Sequence, residues 1–234
     1  MVVDPRGTAI ERMFSAIAPR YDLLNRLLSA GRDRVWRREA IRAARLSAGA
    51  RLLDVCTGTA DMALEAVRHC SACSVVGVDF SEPMLALGRA KVERAGQGGR
   101  VRLERASAEA LPFPADTFDA ACIAFGLRNL PDRMAGLREM QRVLRPGGRA
   151  VILEFATPPG RLIRSVYLWY FHRILPSIGR LLSGHPSAYA YLPASVAEFP
   201  PPEGLADWLR ESGFREVSYR RLTFGIVAIH VGIK

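Results

Sequence analysis

The chain has 234 residues, of which 49% are hydrophobic and 24% charged, and its formal net charge is +10 at pH 7. This composition is typical of a globular protein and excludes the disordered, collagen-like and coiled-coil classes. No run approaches the ~20 apolar residues that a membrane-spanning helix needs, and the first residues lack the apolar stretch of a secretory signal, so we expect a cytoplasmic protein. The charge alone leaves three partners open: nucleic acid, an anionic membrane surface and an acidic small molecule.

The first part of the chain is predicted to be helical. Between residues 8 and 45, apolar side chains recur at steps of three or four, which is the spacing of an amphipathic helix. Pro19 and Gly31 divide this stretch, because neither residue favours a helix interior. We therefore expect residues 1–45 to form an N-terminal helical cap.

From residue 46 onward, short apolar runs alternate with amphipathic helices. The predicted strands are 51–55, 74–79, 101–104, 117–125 and 149–155. The predicted helices are 60–69, 81–94 with Ser81 as its N-cap, and 131–144, which is followed by a turn at 145–148. This alternation predicts a parallel sheet with helices on both faces, and we assign residues 46–155 to this ligand-binding core.

The pattern is interrupted between residues 156 and 202, which include eight prolines. Apolar residues at helical spacing predict a helical insert that forms a substrate cap. Residues 203–234 then complete the core with a helix at 203–212 and a closing strand pair at 214–221 and 223–233. Together these elements predict an α/β fold: a doubly wound, seven-stranded, mostly parallel sheet with N-terminal helices and a capping insert.

The ends of the first two strands indicate a ligand site, because ligands in open α/β sheets bind at the carboxyl ends of the strands. Small residues around Gly58 allow a ligand to approach the backbone, and Asp79 is placed to accept hydrogen bonds from ribose hydroxyls. The turn has a single glycine, whereas a dinucleotide site prefers three. Asp54 would repel a pyrophosphate but suits an ammonium or a sulfonium group. S-adenosyl-L-methionine carries both and has no phosphate, so we predict it as the cofactor.

Four cysteines are too few for a disulfide framework in a chain of this length. Cys70 and Cys73 have the spacing of a metal or redox motif, but no second cysteine pair accompanies them. We interpret them as packing residues and expect no metal site.

Several motifs together resemble a known family. Asp54-x-Cys-x-Gly-Thr-Ala-Asp61, Val78-Asp79-Phe-Ser81, Ala108-Glu-Ala-Leu-Pro-Phe113, Phe118-Asp119 and Arg142-Val-Leu-Arg-Pro-Gly-Gly148 look like those of class I S-adenosylmethionine methyltransferases. A narrower set comprises Tyr21-Asp22-x-x-Asn25, Phe125-Gly-Leu-Arg-Asn129, Leu153-Glu154 and Ala228-x-His230-x-Gly232-x-Lys234. This set resembles the C-methyltransferases of menaquinone and ubiquinone biosynthesis. The resemblance covers residues 8–234.

The resemblance implies an activity and a cofactor site. The implied reaction moves a methyl group from S-adenosyl-L-methionine to a ring carbon of a prenylated quinol. Among such reactions we expect the conversion of demethylmenaquinol to menaquinol. It places cofactor contacts at Thr59 and Asp79, and at Ser107 and Ala108 beside the adenine. A further family contact, often serine, falls on Ala124, where only the backbone can contribute. These positions join Asp54 and Gly58 as the expected cofactor-binding residues.

Methylation at a ring carbon requires an electron-rich ring, so the site needs a general base or a cation that stabilises a developing phenolate. Arg128 and Asn129 follow the fourth strand at the ligand edge, and Tyr21 lies in the Tyr-Asp-x-x-Asn motif. We predict these three as the catalytic residues. For Arg128 the alternative is a structural salt bridge to a carboxylate such as Glu154.

The distribution of charge suggests where the substrate enters. Nine of the ten excess positive charges lie in residues 1–45 and 155–197, and the second segment has four arginines and no acidic residue. We expect the insert to form an apolar slot for a polyprenyl tail and to contact the anionic inner face of the membrane peripherally. Two alternatives remain: a different quinol or small aromatic substrate, and an RNA-modifying protein. No nucleic-acid partner is expected, and a homodimer is left open.

Overall fold

The structure is a computed structural model that describes residues 13, 15, 18, 22, 23, 25–27, 29–170, 173 and 186–234. The predicted catalytic residue Tyr21 lies outside the described residues. The strands are β1 (Arg51–Val55), β2 (Ser74–Asp79), β3 (Val101–Arg105), β4 (Phe118–Ala124), β5 (Leu144–Phe155), β6 (Arg215–Leu222) and β7 (Val227–Ile233). The helices are α1 (Arg32–Ala44), α2 (Asp61–His69), α3 (Glu82–Arg94), α4 (Arg133–Val143), α5 (Arg161–Trp169), α6 (Pro186–Glu198) and α7 (Pro202–Glu211).

The seven strands form one sheet in the order β3-β2-β1-β4-β5-β7-β6. The first five pair in parallel, and β7 runs antiparallel to both β5 and β6. The chain order reverses between β1 and β4, so this pair marks the switch point at which a ligand cleft opens. The predicted seven-stranded, mostly parallel sheet is confirmed.

Helices cover both faces of the sheet, and alternate residues of each strand supply the two halves of the core. Leu52 packs into the cluster that includes Trp36 and Ile41 of α1. Its neighbour Leu53 packs into the opposite cluster with Leu137 of α4 and Leu209 of α7. The central strands β1, β2 and β4 are therefore buried on both faces along most of their length, which explains why they read as largely apolar runs.

The start of β5 differs from the prediction. Residues 145–148 were expected to form a separate turn, but they belong to the strand as a bulge. Phe118 pairs with Leu144 and Ala120 pairs with Arg149, so the four residues between them stand opposite Asp119 alone. The bulge lies at the amino end of β5, at the sheet edge opposite the ligand cleft.

The start of α3 also departs from expectation. Ser81 occupies the N-cap position, but its side chain makes no capping hydrogen bond. Its Oγ instead lies 3.1 Å from Oγ of Ser15 in the N-terminal segment. A side chain expected to cap a helix therefore joins this segment to the loop after β2.

Helices flank the core in the N-terminal part and in the insert, the two regions that were predicted to form caps. The break predicted at Gly31 is present, with Gly31 in the left-handed region at φ 74° immediately before α1. Trp36 of α1 donates from Nε1 to Oγ1 of Thr223 at 2.8 Å, which joins this helix to the turn before β7. Helices α5 and α6 occupy the two ends of the insert. Among the described residues, no helix is long and apolar enough to cross a membrane.

The cysteine interpretation is wrong for one pair. Cys70 and Cys73, expected to be ordinary packing residues, are joined by a disulfide in the loop between α2 and β2. Both are buried and pack against Ala50. Cys56 and Cys122 are free. The disulfide lies at the amino end of β2, away from the ligand cleft.

Candidate functional site

The backbone is unusual where β1 and β4 end. Three residues other than glycine have positive φ there: Cys56 at 55°, Ala60 at 66° and Phe125 at 58°. This region costs a residue with a side chain roughly 1–2 kcal/mol. Such conformations cluster at functional sites, where the surrounding structure holds them in place. They turn the chain sharply away from the sheet and leave a cleft between the two strand ends.

A small cavity occupies this cleft. It is lined by residues from the ends of β1, β2 and β4 and from the segments that follow them: Cys56, Gly58, Asp79, Phe80, Met84, Ala124, Phe125, Gly126, Asn129 and Leu130. These residues include a carboxylate and no lysine or arginine. The donor set therefore suits a ligand with positive charge and disfavours a phosphate.

Backbone amides fix the Asp79 carboxylate at the end of β2. Its Oδ2 accepts a hydrogen bond from the amide of Gly58 at 2.8 Å, and its Oδ1 accepts from the amide of Ser81 at 2.9 Å. The first contact joins the loops after β1 and β2. Asp79 is thus oriented at the cavity wall, where it can serve as a polar anchor.

Asp54 lies behind the cavity and is 1% exposed. Its Oδ2 accepts a hydrogen bond from Oγ1 of Thr57 at 2.5 Å. Burial raises the pKa of Asp54 to about 7, although the Thr57 hydrogen bond and the nearby charge of Arg37 both act to lower it. This carboxyl therefore gains and loses its proton near neutral pH.

Thr59 is buried and its hydroxyl is engaged on two sides. Oγ1 donates to Oδ1 of Asp22 at 2.6 Å and accepts from Nζ of Lys91 at 2.9 Å. The same ammonium lies 2.6 Å from Asp22 Oδ2 and 2.6 Å from Asp61 Oδ1. Burial raises the pKa of Asp61, but the charges of Arg37 and Lys91 outweigh burial and hold that pKa below its ordinary value.

The remaining expected cofactor residues divide between the cavity and its surroundings. Ala124 lines the cavity, as do Gly58 and Asp79. Ser107 and Ala108 follow β3 and do not belong to the cavity lining; Ser107 is exposed and its Oγ accepts from the amide of Glu109 at 3.2 Å. Their place beside the adenine stays a prediction.

Arg128 is buried in the 3-10 helix Leu127–Asn129 and forms the ion pair that was the structural alternative for it. Its Nη1 lies 2.7 Å from Glu154 Oε1, and the same nitrogen donates to the carbonyl of Phe125 at 2.6 Å. The guanidinium also stacks over the ring of Phe155 at 5.3 Å. Its Nε is buried and has no hydrogen-bond partner among the described residues.

Asn129 joins the cavity to the insert. It lines the cavity, its Nδ2 donates to the Phe125 carbonyl at 3.2 Å, and its Oδ1 accepts from the hydroxyl of Tyr191 at 3.0 Å. Tyr191 belongs to α6, so this hydrogen bond joins residues 62 positions apart. Burial raises the pKa of Tyr191, so its hydroxyl stays a hydrogen-bond donor at neutral pH.

Sequence reasoning missed several members of this site. Nothing in the local sequence indicated the contact of Tyr191 with Asn129. Lys91 offered one signal, because it is one of only two lysines among 33 basic residues. Cys56 was not expected in the cavity wall.

The fold is the Rossmann-like fold of class I methyltransferases, with the cavity at the switch point of its sheet. Residues 2–234 match the family model described as the ubiE/COQ5 methyltransferase family. The chain belongs to this family, and it is an S-adenosyl-L-methionine-dependent methyltransferase. The charge of the cavity lining suits this cofactor, since Asp79 lies on the wall and no lysine or arginine is among the described lining residues.

Named relatives extend the comparison. The chain is 55% identical over 230 residues to a Geobacter sulfurreducens protein called ubiquinone/menaquinone biosynthesis C-methyltransferase UbiE, covering 98% of this chain and 90% of that protein. It is 53% identical over 220 residues to the demethylmenaquinone methyltransferase of Thermus thermophilus, covering 94% and 99%. The solved structure of the cyclase SpnF superimposes with a TM-score of 0.74 at 19% identity, covering 98% and 97%, and this likeness concerns the fold alone.

Proposed function

We propose that this protein transfers a methyl group from S-adenosyl-L-methionine to a ring carbon of a prenylated quinol, with demethylmenaquinol as substrate and menaquinol as product. The relatives named for this reaction support the substrate class. The observation that carries the proposal is the position of Asn129, which lines the cofactor cavity and also binds Tyr191 of the insert. One residue thereby touches both the expected cofactor site and the expected substrate cap.

The cofactor supplies an activated methyl group on a positively charged sulfur when it is bound. We propose that Asp79 holds the ribose, since its two carboxylate oxygens are oriented by backbone amides at the cavity wall. Gly58 and Ala124 allow close approach of the backbone, and Asp54 adds negative charge behind the site. Thr59, Ser107 and Ala108 remain the proposed contacts around these.

The proposed role of Arg128 and Asn129 is to stabilise negative charge on a quinol hydroxyl. A buried cation acts strongly on a developing phenolate, because little water screens it. The Glu154 partner offsets part of the Arg128 charge but also holds the guanidinium in one orientation. Asn129 presents an amide at the cavity itself. Tyr21 is retained as a third proposed participant on the strength of the family motif.

A second cavity offers a place for the prenyl tail. It has a volume of about 340 Å³ and lies beyond the end of β5, and its lining includes Phe155, Val196 and Phe199 together with several prolines and two arginines, Arg164 and Arg221. The ring of Phe155 lies 4.7 Å from that of Phe125, which lines the cofactor cavity. One aromatic pair thus separates the two spaces, and we propose that the tail occupies the second one.

We also propose a peripheral membrane contact through α5. This helix buries Tyr167, while Leu162 is 79% exposed and Trp169 is 58% exposed. Arg161 and Arg164 lie on the same short helix and are exposed. An apolar surface flanked by arginines suits an anionic lipid surface, which is also where a polyprenyl quinol resides.

The deciding experiment is methyl transfer from labelled S-adenosyl-L-methionine to demethylmenaquinol in detergent. We expect label in the quinol ring, and its absence would contradict the proposal. Parallel reactions with a ubiquinone-pathway quinol and with bulk RNA separate the alternatives. Label in either of these acceptors, without label in demethylmenaquinol, would assign the enzyme to another substrate.

Vesicle flotation tests the membrane contact. We expect binding to vesicles containing anionic lipid, loss of binding in high salt, and weaker binding for Leu162→Glu and Trp169→Glu. Leu87→Glu, at an exposed leucine on α3, serves as the matched control and should bind as the wild type does. Equal binding by all variants would remove α5 from the proposed surface.

A further inference from the structure

Lys91 stands out by composition. The chain has 33 basic residues, and only Lys91 and Lys234 are lysine. An arginine guanidinium is a planar fork, whereas a lysine ammonium is compact and directs three protons to separate acceptors. A position with three oxygen acceptors close around one nitrogen therefore suits lysine.

Lys91 has such acceptors. Its Nζ lies 2.6 Å from Asp22 Oδ2, 2.6 Å from Asp61 Oδ1 and 2.9 Å from Thr59 Oγ1. Thr59 closes a ring by donating its hydroxyl proton to the other oxygen of Asp22 at 2.6 Å. We call these four residues the Lys91 cluster. Its side chains are mostly shielded from water, so their mutual attraction is stronger than that of a surface pair.

The cluster brings four parts of the chain together. Asp22 belongs to the N-terminal segment, Thr59 to the turn after β1, Asp61 to the first turn of α2 and Lys91 to α3. Thr59 directly follows Gly58, whose amide binds Asp79 on the cavity wall. Only the peptide unit between Gly58 and Thr59 separates the cluster from the cavity wall, so a displacement of the cluster also displaces the wall.

A second contact joins the N-terminal segment to the site. Ser15 Oγ lies 3.1 Å from Ser81 Oγ, and the amide of Ser81 holds Asp79 Oδ1. The segment therefore meets the loop after β1 through Asp22 and the loop after β2 through Ser15. These two loops frame the cavity that Asp79 and Gly58 line.

From this geometry we propose that Lys91 is a positioning residue for the cofactor. It ties the N-terminal segment to the turn after β1, and so couples the placement of that segment to cofactor binding. The hydroxyl of Thr59 is part of this connection, because it lies between Asp22 and Lys91. It contributes to cofactor affinity by fixing the Gly58 peptide. Without Lys91, the carboxylates of Asp22 and Asp61 lose the cation that holds them together.

The first test measures the dissociation constant of S-adenosylhomocysteine by calorimetry. We expect Lys91→Met and Asp22→Asn each to weaken binding about tenfold, as expected for loss of a charge-assisted hydrogen bond. Because the two residues act as one unit, the dissociation constant of the double variant should lie within about twofold of that of the single variant that binds more weakly. Single effects below twofold, or effects that multiply in the double variant, would overturn the proposal.

The second test separates positioning from a general loss of structure. We expect Lys91→Met to raise KM for S-adenosyl-L-methionine about tenfold while kcat stays within about threefold of wild type. Lys234→Met is the control, since Lys234 pairs with Asp116 at the opposite edge of the sheet, and its KM should be unchanged. A fall in kcat with unchanged KM would contradict the positioning role.

The third test works on the intact chain even if Lys91→Met fails to fold. With ¹⁵N-lysine, the two side-chain nitrogens give two resonances. We expect the Lys91 resonance to move on saturation with S-adenosylhomocysteine and again in Asp22→Asn, while the Lys234 resonance stays in place. A Lys91 resonance that responds to neither change would overturn the proposal. The first and third tests need no methyl acceptor, so they are independent of which quinol the enzyme methylates.

Discussion

The buried carboxyl of Asp54 makes both stability and cofactor affinity depend on pH. Its pKa rises from an ordinary 3.8 to about 7 in the folded protein, because burial disfavours the charged form. The folded protein therefore binds this proton more tightly than the unfolded chain. The resulting stabilisation is complete below the unfolded pKa and is lost as the pH rises through about 7.

The magnitude follows from the shift. One pKa unit corresponds to about 1.4 kcal/mol, so the full contribution is about 4 kcal/mol, of which about 3 kcal/mol is lost between pH 5 and pH 8. Asp54→Asn keeps an oxygen that can accept from Thr57 but removes the titration. We expect the difference in unfolding free energy, wild type minus variant, to fall by about 3 kcal/mol from pH 5 to pH 8.

Urea unfolding followed by tryptophan fluorescence at pH 5, 6, 7 and 8 measures this difference. Asp207→Asn, at an exposed carboxylate paired with Arg210, is the control and should show no such trend. Calorimetry should also show that Asp54→Asn binds S-adenosyl-L-methionine about tenfold more weakly than wild type at pH 8 and equally at pH 5.5. A difference in unfolding free energy that stays constant within about 0.5 kcal/mol would refute the reasoning.

Four further substitutions test the site. Asp79→Ala should weaken S-adenosyl-L-methionine binding about hundredfold by calorimetry, since it removes the oriented carboxylate; an unchanged dissociation constant would count against the ribose role. Arg128→Ala and Glu154→Gln each leave one buried charge of the pair without its partner, so each should destabilise the fold by about 3 kcal/mol in urea. Arg128→Ala should in addition lower kcat about hundredfold with cofactor affinity within twofold. Tyr191→Phe should raise KM for the quinol about fivefold through loss of its hydrogen bond to Asn129, and an unchanged KM would exclude that contact from substrate binding.

Much of the fold could be predicted from local pattern. Strands β1 and β2 begin and end at the predicted residues, because a parallel strand buried on both faces appears as a short, largely apolar run. The bulge at 145–148 was mistaken for a turn, since proline and two glycines favour either. The pairing of these residues opposite Asp119 is a property of the sheet and not of the local sequence.

The candidate site could be predicted only in part. Gly58 and Asp79 were expected at one site because strand ends in a parallel sheet converge at one edge, and both line the cavity. Asp54 was expected there too but lies outside the lining. The contact of Arg128 with Glu154 was an open alternative, because pattern alone does not tell a catalytic cation from a paired one. The contact between Asn129 and Tyr191 was not predictable, since it depends on how the insert folds back over 62 residues.

The cavity and the outside of the protein have opposite electrostatic preferences. The whole chain carries a net charge of +10, yet the described lining of the cavity offers Asp79 and no cation, with Asp54 behind it. Phosphate-bearing nucleotides are thus attracted to the surface but disfavoured within. With the cofactor placed as we propose, its sulfonium is attracted by Asp79 and by the ionised form of Asp54; once the methyl group has left, the sulfur is neutral and that attraction is gone. On this proposal, the acidic surroundings that favour the incoming cofactor also promote exchange of the spent one.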